Sequence, residues 1–141
     1  MKRLLILCIT LVSFSLQAQD NGLNWLTDFS EAKLQSNAQK KMILLYFSPE
    51  SSARSTEISE NMFSNGTFQA LSKKFILMRV DQNASDQQTA MYNKRLIIHY
   101  NKQSYFPSLL LVDHNGAEKG KLHSDFTSTG STKYLDFLKS L

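Results

Sequence analysis

The chain has 141 residues, of which 42% are hydrophobic, and 16 lysines and arginines against 12 acidic residues give a formal charge of +4. Its basic residues are scattered and stand mostly at the ends of apolar runs, which argues against nucleic-acid binding. The chain contains one cysteine, Cys8, which excludes a disulfide within the chain.

The start of the chain has the three parts of a secretory signal peptide. Lys2 and Arg3 form a basic segment, residues 4–16 are apolar, and we predict cleavage after Ala18. A retained membrane anchor is one alternative, although a spanning helix needs about 20 apolar residues. A lipoprotein signal at Cys8 is another, although the residues before this cysteine are not small.

Cleavage would remove residues 1–18 and leave residues 19–141, a length of 123 residues (141 − 18) that suits a single domain. The formal charge would fall to +2, from 14 basic and 12 acidic residues. No cysteine would remain, so the mature protein would have no thiol nucleophile and no thiolate zinc ligand. We expect no stable membrane insertion after cleavage.

The first half of the remaining chain alternates between helical and strand patterns. We predict a helix from Thr27-Asp28 to Lys40-Lys41, and then a strand buried on both faces at residues 42–47. A turn containing Pro49 leads into a helix from about Ser52. Asn65-Gly66 bends or ends this helix, and the pattern resumes before a second buried strand at residues 75–80.

The second half continues the alternation. It predicts a helix at residues 86–100, a strand at 108–112, a turn at 114–116, a returning strand at 118–123 and a C-terminal amphipathic helix. Alternating strands and helices predict an α/β fold, in which helices cover both faces of a central mixed sheet. The hairpin adds an antiparallel edge to that sheet.

This order of elements resembles the thioredoxin fold, because an apolar strand runs into a turn and a helix, and an isolated X-Pro precedes the hairpin. The resemblance covers residues 24–141, and its opening, NWLTDFSEAKLQSNAQKKMILLYFS, looks like the start of exported bacterial thioredoxin-related domains. In that family a Trp-Cys-x-x-Cys motif follows the strand. The two cysteines correspond here to Ser52 and Ser55, and the family's cis-proline corresponds to Pro107.

The serines at these positions cannot perform the family's redox chemistry. A helix N-terminus stabilises a thiolate, whereas a serine hydroxyl stays protonated near neutral pH and cannot exchange with a disulfide. The simpler role is that Ser51 or Ser52 caps the helix, which contributes about 1 kcal/mol. The resemblance thus implies a thioredoxin-like protein that is not a thiol-disulfide enzyme and needs no cofactor.

The resemblance also implies a groove in which an extended peptide can pair beside the cis-proline, a contact that requires no thiol. The candidate peptide-binding residues are Ser51, Ser52, Arg54, Tyr105, Phe106 and Pro107. The alternative is that Phe106 packs in the core and Tyr105 covers it, since aromatic side chains serve both purposes.

Other chemistry has weaker support. A serine hydrolase would need a base near Ser52 or Ser55, but no nucleophile-elbow glycine pattern surrounds either residue. The histidines, His99, His114 and His123, lack metal-ligand spacing, so we predict no metal site.

We therefore expect an exported, redox-inactive module that binds an envelope protein or an extended peptide. Its predicted location is the periplasm, with an extracellular or envelope-anchored location as the alternative. Two other functions remain open. One is an oxidoreductase-related or chaperone role in periplasmic protein folding, and the other is a structural subunit covered by a fixed partner.

Overall fold

A computed structural model describes residues 19–20, 22–49 and 52–141, although the side chains of residues 19–20 and 52–54 are not included. The predicted signal peptide, residues 1–18, and the candidate residue Ser51 lie outside the described residues. The elements are β1 (Gln19–Asp20), β2 (Leu23–Asn24), α1 (Phe29–Gln39), β3 (Ile43–Ser48), α2 (Ser52–Ile58), α3 (Gly66–Ser72), β4 (Ile76–Asp81), α4 (Gln87–Tyr100), β5 (Ser108–Val112) and α5 (Ser128–Lys139). A π-helical segment, Ser59–Phe63, continues α2.

The central sheet has the strand order β4-β3-β5. Strand β3 pairs in parallel with β4, from Ile43 opposite Ile76 to Ser48 opposite Asp81. It pairs antiparallel with β5, so the sheet is mixed, as predicted. All six residues of β3 are buried, which explains why this strand is a continuous apolar run rather than an alternating one.

The two faces of the sheet bury separate hydrophobic clusters because successive side chains of a strand point to opposite faces. Leu44 and Tyr46 belong to the cluster that packs against α3 and α5. Ile43, Leu45 and Phe47 belong to the cluster that packs against α1 and α4. The chain thus has the predicted α/β architecture, with helices on both faces of the sheet.

Side-chain caps fix the starts of the helices where the sequence predicts them. Asp28 accepts a hydrogen bond from the Ser30 N–H at 2.8 Å and caps α1. Asp86 caps α4 in the same way. The predicted break at Asn65-Gly66 is confirmed, because the Asn65 side chain accepts from the Thr67 N–H at 2.8 Å and starts α3.

The returning strand predicted at residues 118–123 is not continuous, which corrects the sequence expectation. Within the described residues only two bridges join this segment to β5, Leu109 with His123 and Val112 with Glu118. Between the two bridges the chain advances three residues along β5, from Leu109 to Val112, but five residues along the returning segment, from Glu118 to His123. The two extra residues form a bulge, and a bulge interrupts the ladder that a regular strand requires.

Candidate functional site

The two segments predicted to form the groove lie at the same end of the sheet. Phe47 at the end of β3 lies opposite Ser108 at the start of β5. Carrying this antiparallel register one step further places Pro107 opposite Ser48. Because α2 begins four residues after Ser48, the proline segment and the start of α2 border the same edge of the sheet.

The residues before β5 divide into a buried part and an exposed part. The peptide bond between Phe106 and Pro107 is cis, as the resemblance implies. Phe106 is partly buried and packs against the cluster under α1 and α4. The Tyr105 side chain is 47% exposed. Phe106 therefore packs against the core, as the alternative interpretation expected, whereas Tyr105 is exposed at the surface.

A buried asparagine that the sequence did not single out holds the backbone of Tyr105. The Tyr105 N–H donates to Asn101 Oδ1 at 2.9 Å, and Asn101 Nδ2 donates to the Tyr105 carbonyl at 2.8 Å. Ser108 Oγ donates to the same carbonyl at 2.7 Å. Asn101 is only 1% exposed. Both backbone groups of Tyr105 are therefore engaged within the chain, and its side chain is what a partner could contact.

Further polar contacts fix the strand ends beneath this edge. Asn93 is buried in α4, and its Nδ2 donates to the carbonyl of Asp81 at 3.0 Å. Ser48 Oγ donates to the Val80 carbonyl at 3.4 Å. Hydrogen bonds from buried side chains to the backbone keep both strand ends in place. The only signal for these residues in the sequence was a polar residue inside or directly after an apolar pattern.

The two positions that correspond to the family's cysteines lie at the start of α2. Ser52 is the first residue of the helix and Ser55 follows three residues later, so they share one helix face. Ser55 is partly buried. The side chains of Ser52 and Arg54 are outside the described part of the chain. The backbone places a helix N-terminus at this position, where it would stabilise a thiolate. Both motif positions carry serine hydroxyls instead.

An aromatic cluster supports the far end of this helical segment. Trp25, Tyr46 and Phe63 have ring centroids 4.9 to 5.4 Å apart. The guanidinium of Arg79 lies 5.8 Å from the centre of the Tyr46 ring. These rings join the segment between β2 and α1, strand β3 and the π-helical segment. The position of α2, which the π-helical segment continues, is therefore coupled to the core.

The three histidines have different surroundings. His99 and His114 are exposed. His123 is partly buried and stacks on Tyr134 with ring centroids 4.4 Å apart, and burial lowers the pKa of His123. Among the described residues no group of three histidine, cysteine or acidic side chains could hold a metal ion.

Among the described residues, a cavity lies near each end of β4. One of about 450 Å³ lies between α4 and Phe106, next to the Tyr105 segment. The other, of about 710 Å³, lies near the amino end of β4 at Ile76 and is lined by Lys41 and Lys73 among others. The smaller cavity thus adjoins the candidate site, while the larger one opens near the opposite end of the parallel strands.

The sequence profile of the family described as thioredoxin-like matches residues 24–114. This is 91 of 141 residues, more than half of the chain, and the protein belongs to the thioredoxin-like family. No curated protein matches the chain at a significant level.

Solved structures share the fold at low sequence identity. A DsbH oxidoreductase superposes with a TM-score of 0.71 at 21% identity, covering 89% of this chain and 87% of that chain. A disulphide isomerase from Xylella fastidiosa Temecula1 gives 0.58 at 18% identity, covering 87% and 95%. A thioredoxin from Thermus thermophilus gives 0.58 at 20% identity, covering 78% and 80%. Identities this low establish a common fold and leave the activity open.

No helix in the described part of the chain is both long enough and apolar enough to cross a bilayer.

Proposed function

We propose that the protein is an exported, redox-inactive thioredoxin-like module that binds a protein or an extended peptide at the edge formed by Tyr105–Pro107 and the start of α2. The observation that carries this proposal is the setting of Tyr105. Its side chain is 47% exposed, while buried Asn101 holds its backbone. A rigidly mounted aromatic side chain gives a large contact area at little entropic cost.

Redox inactivity follows from the residue types at the motif positions. Ser52 and Ser55 supply no sulfur, and Cys8 is the single cysteine of the chain. One thiol cannot form an intrachain disulfide to pass to a substrate. In an insulin-reduction assay with dithiothreitol, the protein should not accelerate precipitation above the uncatalysed rate. Acceleration by a protein of verified purity would contradict this part of the proposal.

Export is proposed from the signal-like start of the chain. If the signal peptide is removed after Ala18, intact mass spectrometry of protein from the envelope fraction should show a chain that begins at Gln19. A chain that retains residues 1–18, or a lipid adduct on Cys8, would favour the anchored or lipoprotein alternative instead.

Binding is tested by crosslinked capture of partners from the native envelope, followed by mass spectrometry. The variants Tyr105→Ala and Arg54→Ala should lose a partner that the wild type captures. Tyr92→Ala is the matched control, because Tyr92 is also an exposed tyrosine but lies on α4. Capture that is unchanged in Tyr105→Ala, or lost equally in Tyr92→Ala, would contradict a binding site at Tyr105.

The same experiment separates the kinds of binding. Many weakly held, extended clients would favour a chaperone role, whereas one partner in a fixed ratio would favour a structural subunit.

A further inference from the structure

The outer side of helix α4 carries two exposed apolar residues that the hydrophobic core does not use, and the exposed Lys94 and Arg95 lie between them. The inner side of the helix includes Asn93 and Leu96, which are buried. On its outer side, Met91 is 55% exposed and Ile98 is 62% exposed. These two residues are seven positions apart, about two helical turns, so they lie on the same face. Single exposed apolar residues need no explanation, but an aligned pair beside a cavity indicates a contact surface.

This outer face forms one wall of the cavity of about 450 Å³. Met91, Ile97 and Ile98 line it from α4, and Ser104 and Phe106 line it from the loop before β5. We call this cavity the α4 groove. Since Phe106 directly follows Tyr105, the groove is continuous with the proposed binding edge.

The charged side chain among the described residues that line the α4 groove is the positive Lys94. Arg95 and Lys102 are two further basic residues between Gln87 and Val112, a segment that contains no aspartate or glutamate. A surface with one dominant sign of charge selects partners of the opposite sign.

The nearest acidic residues in the chain stand before the helix. Asp86 caps the amino end of α4, where its oxygen accepts from the Thr89 N–H at 2.8 Å. The Asp81 carboxylate accepts from the Asn83 N–H at 2.9 Å. Both stand before α4, whereas Asp113 and Glu118 lie near Tyr100 at its carboxyl end, where burial first and then these carboxylates raise the pKa of the Tyr100 hydroxyl. The charged side chain that lines the groove between these ends is Lys94.

We propose that the α4 groove binds an apolar segment of a partner protein that carries acidic residues. This inference rests on the proposed function, because it extends the binding edge at Tyr105 through Phe106 onto α4. The apolar side chains of the partner segment would cover Met91 and Ile98, and a carboxylate would pair with Lys94.

The test uses two fluorescein-labelled synthetic peptides, one in which leucine alternates with glutamate and one in which it alternates with lysine. Fluorescence anisotropy with the purified protein should give an affinity for the acidic peptide about tenfold higher than for the basic peptide. Raising the salt concentration should reduce this difference, because salt screens the charge pairing.

Variants locate the binding surface. Lys94→Glu and Ile98→Ser should each weaken binding of the acidic peptide about tenfold. Two matched controls should leave it unchanged. Leu34→Ser changes a leucine on α1 that is 73% exposed, and Lys121→Glu reverses the charge of an exposed lysine outside α4. Equal affinity for both peptides, or equal losses in the controls, would overturn the inference.

Tyr105→Ala separates this inference from the function on which it rests. Weaker binding in both Tyr105→Ala and Ile98→Ser supports both sites. Weaker binding in Tyr105→Ala alone keeps the proposed function and overturns the α4 groove. Weaker binding in Ile98→Ser alone supports the groove and removes the site at Tyr105. If neither variant changes binding, both fail.

Two further measurements test whether the α4 groove holds a membrane surface or a second copy of the chain instead. Phosphatidylglycerol vesicles that bind through Lys94 and Ile98, with no binding of either peptide, would assign the groove to a membrane surface and overturn the peptide proposal. Self-association that is lost in Ile98→Ser, measured by analytical ultracentrifugation in the absence of peptide, would assign it to a second copy of the chain.

Discussion

Asn101 holds Tyr105 by two hydrogen bonds, from Asn101 Nδ2 to the Tyr105 carbonyl at 2.8 Å and from the Tyr105 N–H to Asn101 Oδ1 at 2.9 Å. The asparagine is the C-cap residue of α4, so this pair couples the end of the helix to the cis-proline segment. A buried amide with both of its polar groups satisfied is a specific link, because no apolar side chain of similar size reproduces it.

Replacing Asn101 by alanine should therefore destabilise the fold and disorder the binding edge. The substitution leaves the Tyr105 N–H without its acceptor, and we expect a loss of about 2 kcal/mol in the free energy of unfolding. Urea denaturation measures this loss. Gln103→Ala, at an exposed position of the same loop, is the control and should change stability by less than about 0.5 kcal/mol. Equal stability of the two variants would show that the Asn101 contacts contribute little.

Phe106 and Tyr105 should respond differently to truncation. Phe106 packs against the core, so Phe106→Ala should lower the free energy of unfolding by about 2 to 3 kcal/mol. The exposed Tyr105 side chain can be removed at a cost below about 1 kcal/mol, while partner binding is lost. Thermal or urea denaturation of both variants checks the comparison. A large stability loss in Tyr105→Ala would mean that this ring serves packing and that its binding role is unsupported.

The sequence was sufficient for the parts of the fold that depend on local patterns. Continuous apolar runs marked β3, β4 and β5, Asp28 and Asp86 marked helix starts, and Asn65-Gly66 marked a helix break. Pro107 marked the edge of the candidate site. What these features share is that the sequence pattern that reveals them lies within a few residues, even where the strands pair with distant parts of the chain.

The remaining features depend on contacts that no local pattern reveals. Asn101 was missed although Tyr105 and Ser108 follow it by four and seven residues, because no helix or strand pattern distinguishes a buried asparagine of a loop from an exposed one. The bulge in the segment after β5 depends on how two bridges align across the sheet edge. The exposed pair Met91 and Ile98 on α4 was not predicted, because their exposure depends on which side of the helix packs on the sheet through Leu96.

Stability should fall as the pH falls through the range in which His123 titrates. Burial against Phe126 and Tyr134 lowers the pKa of His123 below its usual value of 6.5, although the nearby Asp125 partly opposes this shift. The unfolded chain then binds a proton that the folded chain resists, so the stabilisation is present above about pH 6.5 and is lost below it. Urea midpoints measured between pH 5 and 7.5 should decrease toward pH 5.

A substitution isolates this effect. His123→Phe keeps an aromatic ring but removes the proton site, so the pH dependence between pH 5 and 7.5 should become flatter. His99→Gln, at an exposed histidine, is the control and should follow the wild type. Asp86, Asp113 and Asp125 have lowered pKa values because of hydrogen bonds to their carboxylates, and they act at lower pH. An unchanged slope in His123→Phe would assign the pH dependence to another group.

Restoring two thiols at the start of α2 tests whether the scaffold still suits the chemistry that the serines exclude. In the double variant Ser52→Cys/Ser55→Cys, the two thiols share one helix face at the N-terminus, which should lower the pKa of the first thiol below the usual 8.5 or so. Oxidised glutathione would accept two electrons as the two thiols lose their protons and form one S–S bond. We expect thiol titration to show loss of both thiols, and insulin reduction to rise above the background rate.

The single variant Ser52→Cys is the control, since it can form a mixed disulfide but no intrachain bond. If the double variant keeps two free thiols under conditions that oxidise an ordinary dithiol, the turn itself has departed from the geometry of redox-active relatives, and the loss of redox function then involves more than the two serines.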